Sequence, residues 1–110
     1  LLGDAAHPVL PCLAQGVALA IEDAAVLATE IAVSPDRIEA ALQRYEAARR
    51  PRALRVQEAG RTNGRIYHLP RPFSFARDLV IRHLDGSGLI DRYDWLYGWQ
   101  PEAAPTARAA

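Results

Sequence analysis

A carboxylate in a short turn near the start of the chain is the first residue that could do chemistry. Asp4 follows Gly3 and precedes two alanines. A carboxylate in this setting can accept hydrogen bonds from the hydroxyl groups of a sugar or ribityl chain, and the small neighbours let such a ligand approach. An aspartate in a turn can equally bind its own backbone. The residue types alone leave both roles open.

A helix start a dozen residues later is the second candidate. It reads Gln15-Gly16-Val17-Ala18. The first N–H groups of a helix have no partner inside it, and the helix dipole adds partial positive charge at that end, so an anion is stabilised there. Gly16 has no side chain to hold a ligand at a distance. The alternative is an ordinary helix start with a glycine hinge.

Nucleophilic and metal chemistry fit the chain less well. Cys12 is the only cysteine, so an internal disulfide is impossible. No convincing base lies near it in sequence, and we expect a structural role. His7 and Asp4 have the spacing of some metal-binding pairs, but two ligands are too few for a site. We therefore predict no metal site.

The composition excludes several function classes. The 13 basic residues, all arginine, balance 13 acidic ones, which removes the bulk electrostatic case for nucleic acid or an anionic membrane. The longest apolar run is far shorter than the roughly 20 residues of a membrane span, and no export signal is visible. The single cysteine fits a reducing compartment, and we expect a cytoplasmic protein. We expect the densest basic run, at 49–52, to be a solvated helix face. The absence of methionine and the start at Leu1 suggest a fragment or a processed chain.

A long helix must position the two candidates. The stretch 14–33 is rich in Ala, Leu, Ile and Val, and we expect it to be largely buried. Its polar residues form one narrow stripe at seven-residue spacing: Glu22, Asp23, Thr29 and Glu30. A carboxylate on so apolar a helix needs a partner, and for Asp23 we expect a structural one.

Further helices follow. Ser34 and Pro35 predict a helix start, with a kink or restart at Pro51 and loosening over 60–64. A third helix is predicted after Pro72, followed by a turn over 85–88. The aromatic segment 93–99 should lie against other surfaces, and order should fade from 100 onward. No second strand is credible, and the chain should be mostly α.

The opening segment carries a family resemblance. Gly3-Asp4-Ala5-Ala6-His7-Pro8, then Pro11 and Gln15-Gly16, resembles the second FAD-binding motif of single-component flavin-dependent aromatic hydroxylases, the salicylate-hydroxylase-like and para-hydroxybenzoate-hydroxylase-like monooxygenases. The resemblance also touches 45–56 and 91–99. It implies an intact α/β protein with a Rossmann-type FAD-binding domain and a substrate-binding sheet. This chain would supply the last part of the FAD-binding domain (1–33), a C-terminal helical region (34–99) and a disordered tail (100–110).

The resemblance also assigns roles to individual residues. It implies FAD binding by Gly3, Asp4, Pro11, Gln15, Gly16, Val17 and Ala18. Asp4 would contact the ribityl chain, and the N–H groups at 16–18 would bind the pyrimidine edge of the isoalloxazine ring. Pro11 would lie beside the flavin, where it gives shape and excludes solvent. His7 would hold the turn, and no residue here would be catalytic.

The implied activity belongs to a longer protein. NADH or NADPH would reduce the FAD, dioxygen would add at C4a, and the hydroperoxide would transfer one oxygen to a phenolic substrate or aromatic acid. The piece alone would be inactive, and its oligomeric state is open. Two alternatives remain: a non-catalytic helical interaction module, and a non-hydroxylating flavin oxidoreductase of the same fold.

Overall fold

The computed structural model describes residues 1–83 and 86–100, and the regular structure within them is helical. This confirms the prediction of a mostly α chain. Two short 3-10 turns come first, followed by five helices: the Gly-Asp turn (Gly3–Ala5), the Pro11 turn (Pro11–Leu13), α1 (Gly16–Val33), α2 (Ile38–Tyr67), α3 (Phe73–His83), α4 (Gly86–Asp91) and α5 (Asp94–Tyr97).

Helices α1 and α2 form an antiparallel hairpin. Glu30 near the end of α1 is paired with Arg44 near the start of α2. The connection corrects the predicted helix start at Ser34, because α2 begins only at Ile38. The Ser34 carbonyl instead accepts a hydrogen bond from the Arg37 N–H at 3.1 Å. Pro35 therefore occupies the second position of a turn, a site that suits its fixed φ as well as a first helical position does.

The expectation that α1 is largely buried is wrong for the described residues. Only Leu19 and Asp23 are fully buried, whereas Val17 and Ile21 are 75% and 66% exposed. The reason is that α1 contacts α2 along its polar stripe, so ion pairs fill much of the interface and the apolar side chains lie on other faces.

Helix α2 is longer than predicted. It continues past Pro51 and does not loosen at 60–64, ending at Tyr67. Proline removes one backbone donor, but buried residues lie on both sides of it, Tyr45 before and Ala53 after, and their packing favours a continuous helix. Gly60 and Gly64 belong to the same buried side, where they lie against the segment that carries the Pro11 turn.

Helix α3 begins where it was predicted, after Pro72, and contacts α2. The turn predicted over 85–88 is wrong for 86–88, because these residues start α4. Asp85 lies outside the described residues, as does most of the predicted disordered tail, 101–110.

A small apolar core joins both ends of the described chain. Leu13, Leu19, Val56 and Leu96 are each at most 6% exposed and form one cluster. They come from the Pro11 turn, α1, α2 and α5 in that order, so the core holds the start of α1 against α2 and α5. No helix in the described part of the chain is both long and apolar enough to cross a membrane.

Candidate functional site

The structure brings Asp4 to the start of α1. A Cβ added to Gly16 would lie 3.6 Å from Asp4 Oδ1 and 3.7 Å from Val9 Cγ2. The carboxylate therefore borders the space that a side chain on Gly16 would occupy, although 12 positions separate the two residues in sequence. Asp4 is exposed, and Gly16 is half-buried. Among the described residues no hydrogen bond to the Asp4 carboxylate is formed.

The N–H groups at the same end of α1 are also open. The helix ladder begins with Leu19 N–H, which donates to the Gln15 carbonyl at 2.9 Å. The N–H groups of Gly16, Val17 and Ala18 precede that bond and have no partner within the helix. The Gln15 side chain makes no capping bond to them. Three donors and the positive end of an 18-residue helix thus lie beside an exposed carboxylate.

The other predicted residues divide into two groups. Pro11 and Val17 are exposed. Gln15, which is only 5% exposed, lines a groove of about 370 Å³ together with Ala18, between the start of α1 and the segment that holds Leu96, Tyr97 and Trp99.

The buried carboxylate of Asp23 binds the Gly-Asp turn from α1. Asp23 is 0% exposed. Its Oδ2 accepts a hydrogen bond from the Gly3 N–H at 3.0 Å and lies 2.6 Å from His7 Nε2. Its Oδ1 accepts from Arg49 Nε at 2.7 Å. The predicted structural partner of Asp23 is therefore present, and so is the predicted role of His7 in holding the turn.

Two arginines extend this network to the aromatic segment. Arg52 donates to both oxygens of Glu22 at 2.6 Å and to the Trp95 and Leu96 carbonyls at 3.1 Å. Arg49 donates to Glu22 at 2.7 Å as well. Both guanidinium groups lie over the Trp99 ring, 5.0 and 4.9 Å from its centroid.

We call Glu22, Asp23, Arg49 and Arg52 the carboxylate–arginine junction. The expectation of a solvated basic face at 49–52 is wrong for Arg49 and Arg52, whose side chains are 4% and 11% exposed. It holds for Arg50, which is exposed. The aromatic segment does lie against other surfaces, as predicted.

The junction keeps its carboxylates charged. Burial acts to raise the pKa of Asp23, but hydrogen bonds from Arg49, the Gly3 N–H and His7 outweigh it and hold the pKa below its ordinary value. For Glu22 burial is likewise outweighed by Arg52 and Arg49, and the pKa is lowered. Burial, and then the negative charge of Asp23, raise the pKa of the neighbouring Tyr45.

Sequence reasoning missed the junction, although a signal was present. Glu22 and Glu30 are eight residues apart on α1, and Arg44 and Arg52 are eight residues apart on α2. In an antiparallel pair, Glu30 meets Arg44 and Glu22 meets Arg52. A search for complementary charge stripes on neighbouring predicted helices would have found these pairs.

The comparisons with known proteins identify the family of this chain. The model of a family described as FAD binding domain matches residues 1–59. The chain belongs to this FAD-binding family. The match takes in the Gly-Asp turn, the whole of α1 and the part of α2 that carries the arginines of the junction. The prediction that FAD is the cofactor is confirmed.

The relatives within the family are aromatic hydroxylases, which confirms the resemblance. A 3-amino-4-hydroxybenzoate 2-monooxygenase of Streptomyces platensis is 44% identical over 96% of this chain and 26% of its own length. A 3-hydroxybenzoate 6-hydroxylase of Klebsiella oxytoca is 36% identical over 98% of the chain and 27% of its own length. A salicylate hydroxylase of Pseudomonas putida is 35% identical over 88% and 22%. The chain thus spans about a quarter of the length of these relatives.

The residues present fit FAD. The flavin carries ribityl hydroxyl groups, which suit an exposed carboxylate acceptor such as Asp4. The pyrimidine edge of its ring presents acceptors, which suit the open N–H donors at the start of α1. The missing side chain at Gly16 leaves space between these two features that a larger residue would fill.

Proposed function

We propose that this chain forms the ribityl and pyrimidine side of the FAD site in a monooxygenase that hydroxylates a phenolic substrate or an aromatic acid. One observation carries the proposal: in a chain of an FAD-binding family, the Asp4 carboxylate stands beside Gly16 at the open end of α1. The names of the relatives, all acting on hydroxylated benzoates, support the aromatic substrate class.

Each part of the site has a distinct task. Asp4 accepts hydrogen bonds from the ribityl hydroxyls and so fixes the position of the flavin along the turn. The N–H groups of Gly16, Val17 and Ala18 bind the pyrimidine edge, and the helix dipole favours negative charge there. Gly3 lets the turn form, while Pro11 gives shape and excludes water. Gln15 borders the same helix end.

FAD supplies the redox chemistry when it is bound, with NADH or NADPH as the electron donor and dioxygen as the oxygen source. This chain holds no group that we assign to proton transfer. Its contribution is to orient the flavin and to favour its reduced, negatively charged form.

The test is FAD binding by the full-length protein and by its Asp4→Ala variant. Each apoprotein is titrated with FAD, and binding is monitored by the quenching of flavin fluorescence. We expect the wild type to bind tightly and Asp4→Ala to bind about tenfold or more weakly, because the variant loses one charge-assisted hydrogen bond. Asp36→Ala is the matched control, since it removes an exposed carboxylate from the α1–α2 turn. Equal affinities for the two variants would exclude the role of Asp4.

Product analysis separates hydroxylation from other flavin chemistry. With a panel of hydroxybenzoates and ¹⁸O-labelled dioxygen, we expect the substrate to stimulate NAD(P)H oxidation and the product to contain one labelled oxygen atom. Oxidation without label in any product would favour a non-hydroxylating flavin oxidoreductase. If the wild-type protein bound no FAD, the remaining hypothesis would be a non-catalytic helical interaction module.

A further inference from the structure

Two adjacent carboxylates on α1 have different neighbours. Glu22 and Asp23 are both paired with Arg49. Glu22 otherwise contacts Arg52, on the side of the aromatic segment. Apart from Arg49 and the neighbouring Tyr45, Asp23 contacts Gly3 and His7, the residues that bracket the exposed Asp4. Only one member of this acidic pair is therefore connected to the Gly-Asp turn.

The turn is short and is held by few groups. Its own bonds are those that the N–H groups of Ala6 and His7 donate to the Gly3 carbonyl, at 2.9 and 3.0 Å. Gly3 adopts a φ of +58°, outside the range that most residues favour. A single oxygen, Asp23 Oδ2, meets the turn at both ends, through the Gly3 N–H and the His7 ring. Fixing both positions restrains the backbone from which the Asp4 side chain projects.

We propose that Asp23 is a positioning residue that fixes the Asp4 carboxylate for the FAD ribityl chain. The inference rests on the proposed function of the Gly-Asp turn. Asp23 is 0% exposed and lies beneath the turn, so it acts through Gly3 and His7 and does not touch the flavin itself. Arg49 supplies the positive charge that lets Asp23 remain ionised without water.

The matched pair Asp23→Asn and Glu22→Gln tests this role in the full-length protein. Each substitution is close to isosteric and removes one negative charge beside Arg49, but only Asp23→Asn alters the bonds to the turn. Kd for FAD is measured on the apoproteins at a temperature where circular dichroism shows both to be folded, and Tm is measured alongside. We expect Asp23→Asn to weaken FAD binding about tenfold or more. Glu22→Gln should change Kd less than about threefold, even where the losses in Tm are similar.

A double-mutant cycle with Asp4→Ala separates positioning from general destabilisation. If Asp23 acts through Asp4, the Asp4→Ala change should cost much less affinity in the Asp23→Asn background than in the wild type. Independent, multiplicative losses would overturn the proposal. The proposal would also be overturned if Asp23→Asn and Glu22→Gln lost FAD affinity in the same proportion to their losses in Tm.

A second variant covers the case in which Asp23→Asn does not fold. His7→Ala keeps the Asp23–Arg49 pair but removes one of the two links to the turn. It should weaken FAD binding, should be partly rescued by His7→Gln, and should show the same coupling to Asp4→Ala. Unchanged affinity would contradict the proposal.

The two possible failures are distinguishable. A wild-type protein that binds no FAD would reject the proposed function itself. Wild-type binding of FAD, together with variants that show no coupling to Asp4→Ala, would reject only the role of Asp23.

Discussion

At Gly3 the backbone occupies the left-handed region, with a φ of +58°. A residue with a Cβ enters this region at a cost of about 1–2 kcal/mol. The position is also crowded, since an added Cβ would lie 3.3 Å from the Cβ of Ala20. Both facts favour glycine immediately before Asp4, and they explain why the turn can lie so close to α1.

Gly3→Ala should therefore lower the free energy of unfolding by about 1–3 kcal/mol. Gly88→Ala provides the control, because an added Cβ there meets nothing within 4 Å. That change, inside α4, should be neutral or stabilising by up to about 1 kcal/mol. Urea unfolding of the full-length variants measures both effects, and equal stabilities would refute the strain argued for Gly3.

At the scale of elements, the two glycines on the buried side of α2 allow a loop to approach it. A Cβ on Gly64 would lie 3.6 Å from Leu10 Cδ1 and 3.7 Å from Cys12 Sγ. These are ordinary contact distances, so a methyl group fits and a longer side chain does not. The Pro11 turn, which leads into α1, is therefore held against α2 by close packing.

Gly64→Ala and Gly64→Leu should consequently have opposite effects. The alanine should stabilise the protein by up to about 1 kcal/mol, because it favours the helix and only touches its neighbours. The leucine should destabilise it by about 1–3 kcal/mol and displace the loop. Thermal unfolding gives the stabilities, and the rate at which Cys12 reacts with a thiol reagent reports the loop. A Cys12 reactivity unchanged in Gly64→Leu would show that the loop does not depend on this contact.

At the scale of the whole molecule, the carboxylate–arginine junction makes stability depend on pH. Asp23 faces Arg49, His7 and Tyr45, and Glu22 faces Arg49 and Arg52. Both carboxylates have a lowered pKa in the folded protein. Their stabilising contribution is present above the ordinary carboxyl range, around pH 4, and is lost as the pH falls through that range to the folded-state values.

The free energy of unfolding should therefore fall between about pH 5 and pH 2. Urea titrations across this range should show a smaller slope for Glu22→Gln than for the wild type. Glu39→Gln, which removes an exposed carboxylate from the first turn of α2, should keep the wild-type slope. If all three proteins lost stability in parallel, the junction would not be the source of the acid sensitivity.

The sequence predicted the local features of this molecule better than its contacts. The apolar run 14–33 and the proline before Phe73 were enough to locate α1 and the start of α3, because helix propensity and chain breaks are local. Arg49 and Arg52 were misjudged because their burial depends on partners 26 and 30 residues away. Of the predicted binding residues, the structure places Asp4 beside Gly16, a proximity across 12 positions that no local pattern in the sequence specifies.

The spacing of the junction also imposes an order on synthesis. The Gly-Asp turn is translated before the residues that support it: Arg49 pairs with Asp23, and Trp99, whose ring lies beside both arginines, follows later. A nascent chain that ends before residue 49 carries an acidic helix without its counter-charges. We therefore expect the Gly-Asp turn to become fixed only after Arg49, which lies 46 positions later than Gly3, has been translated.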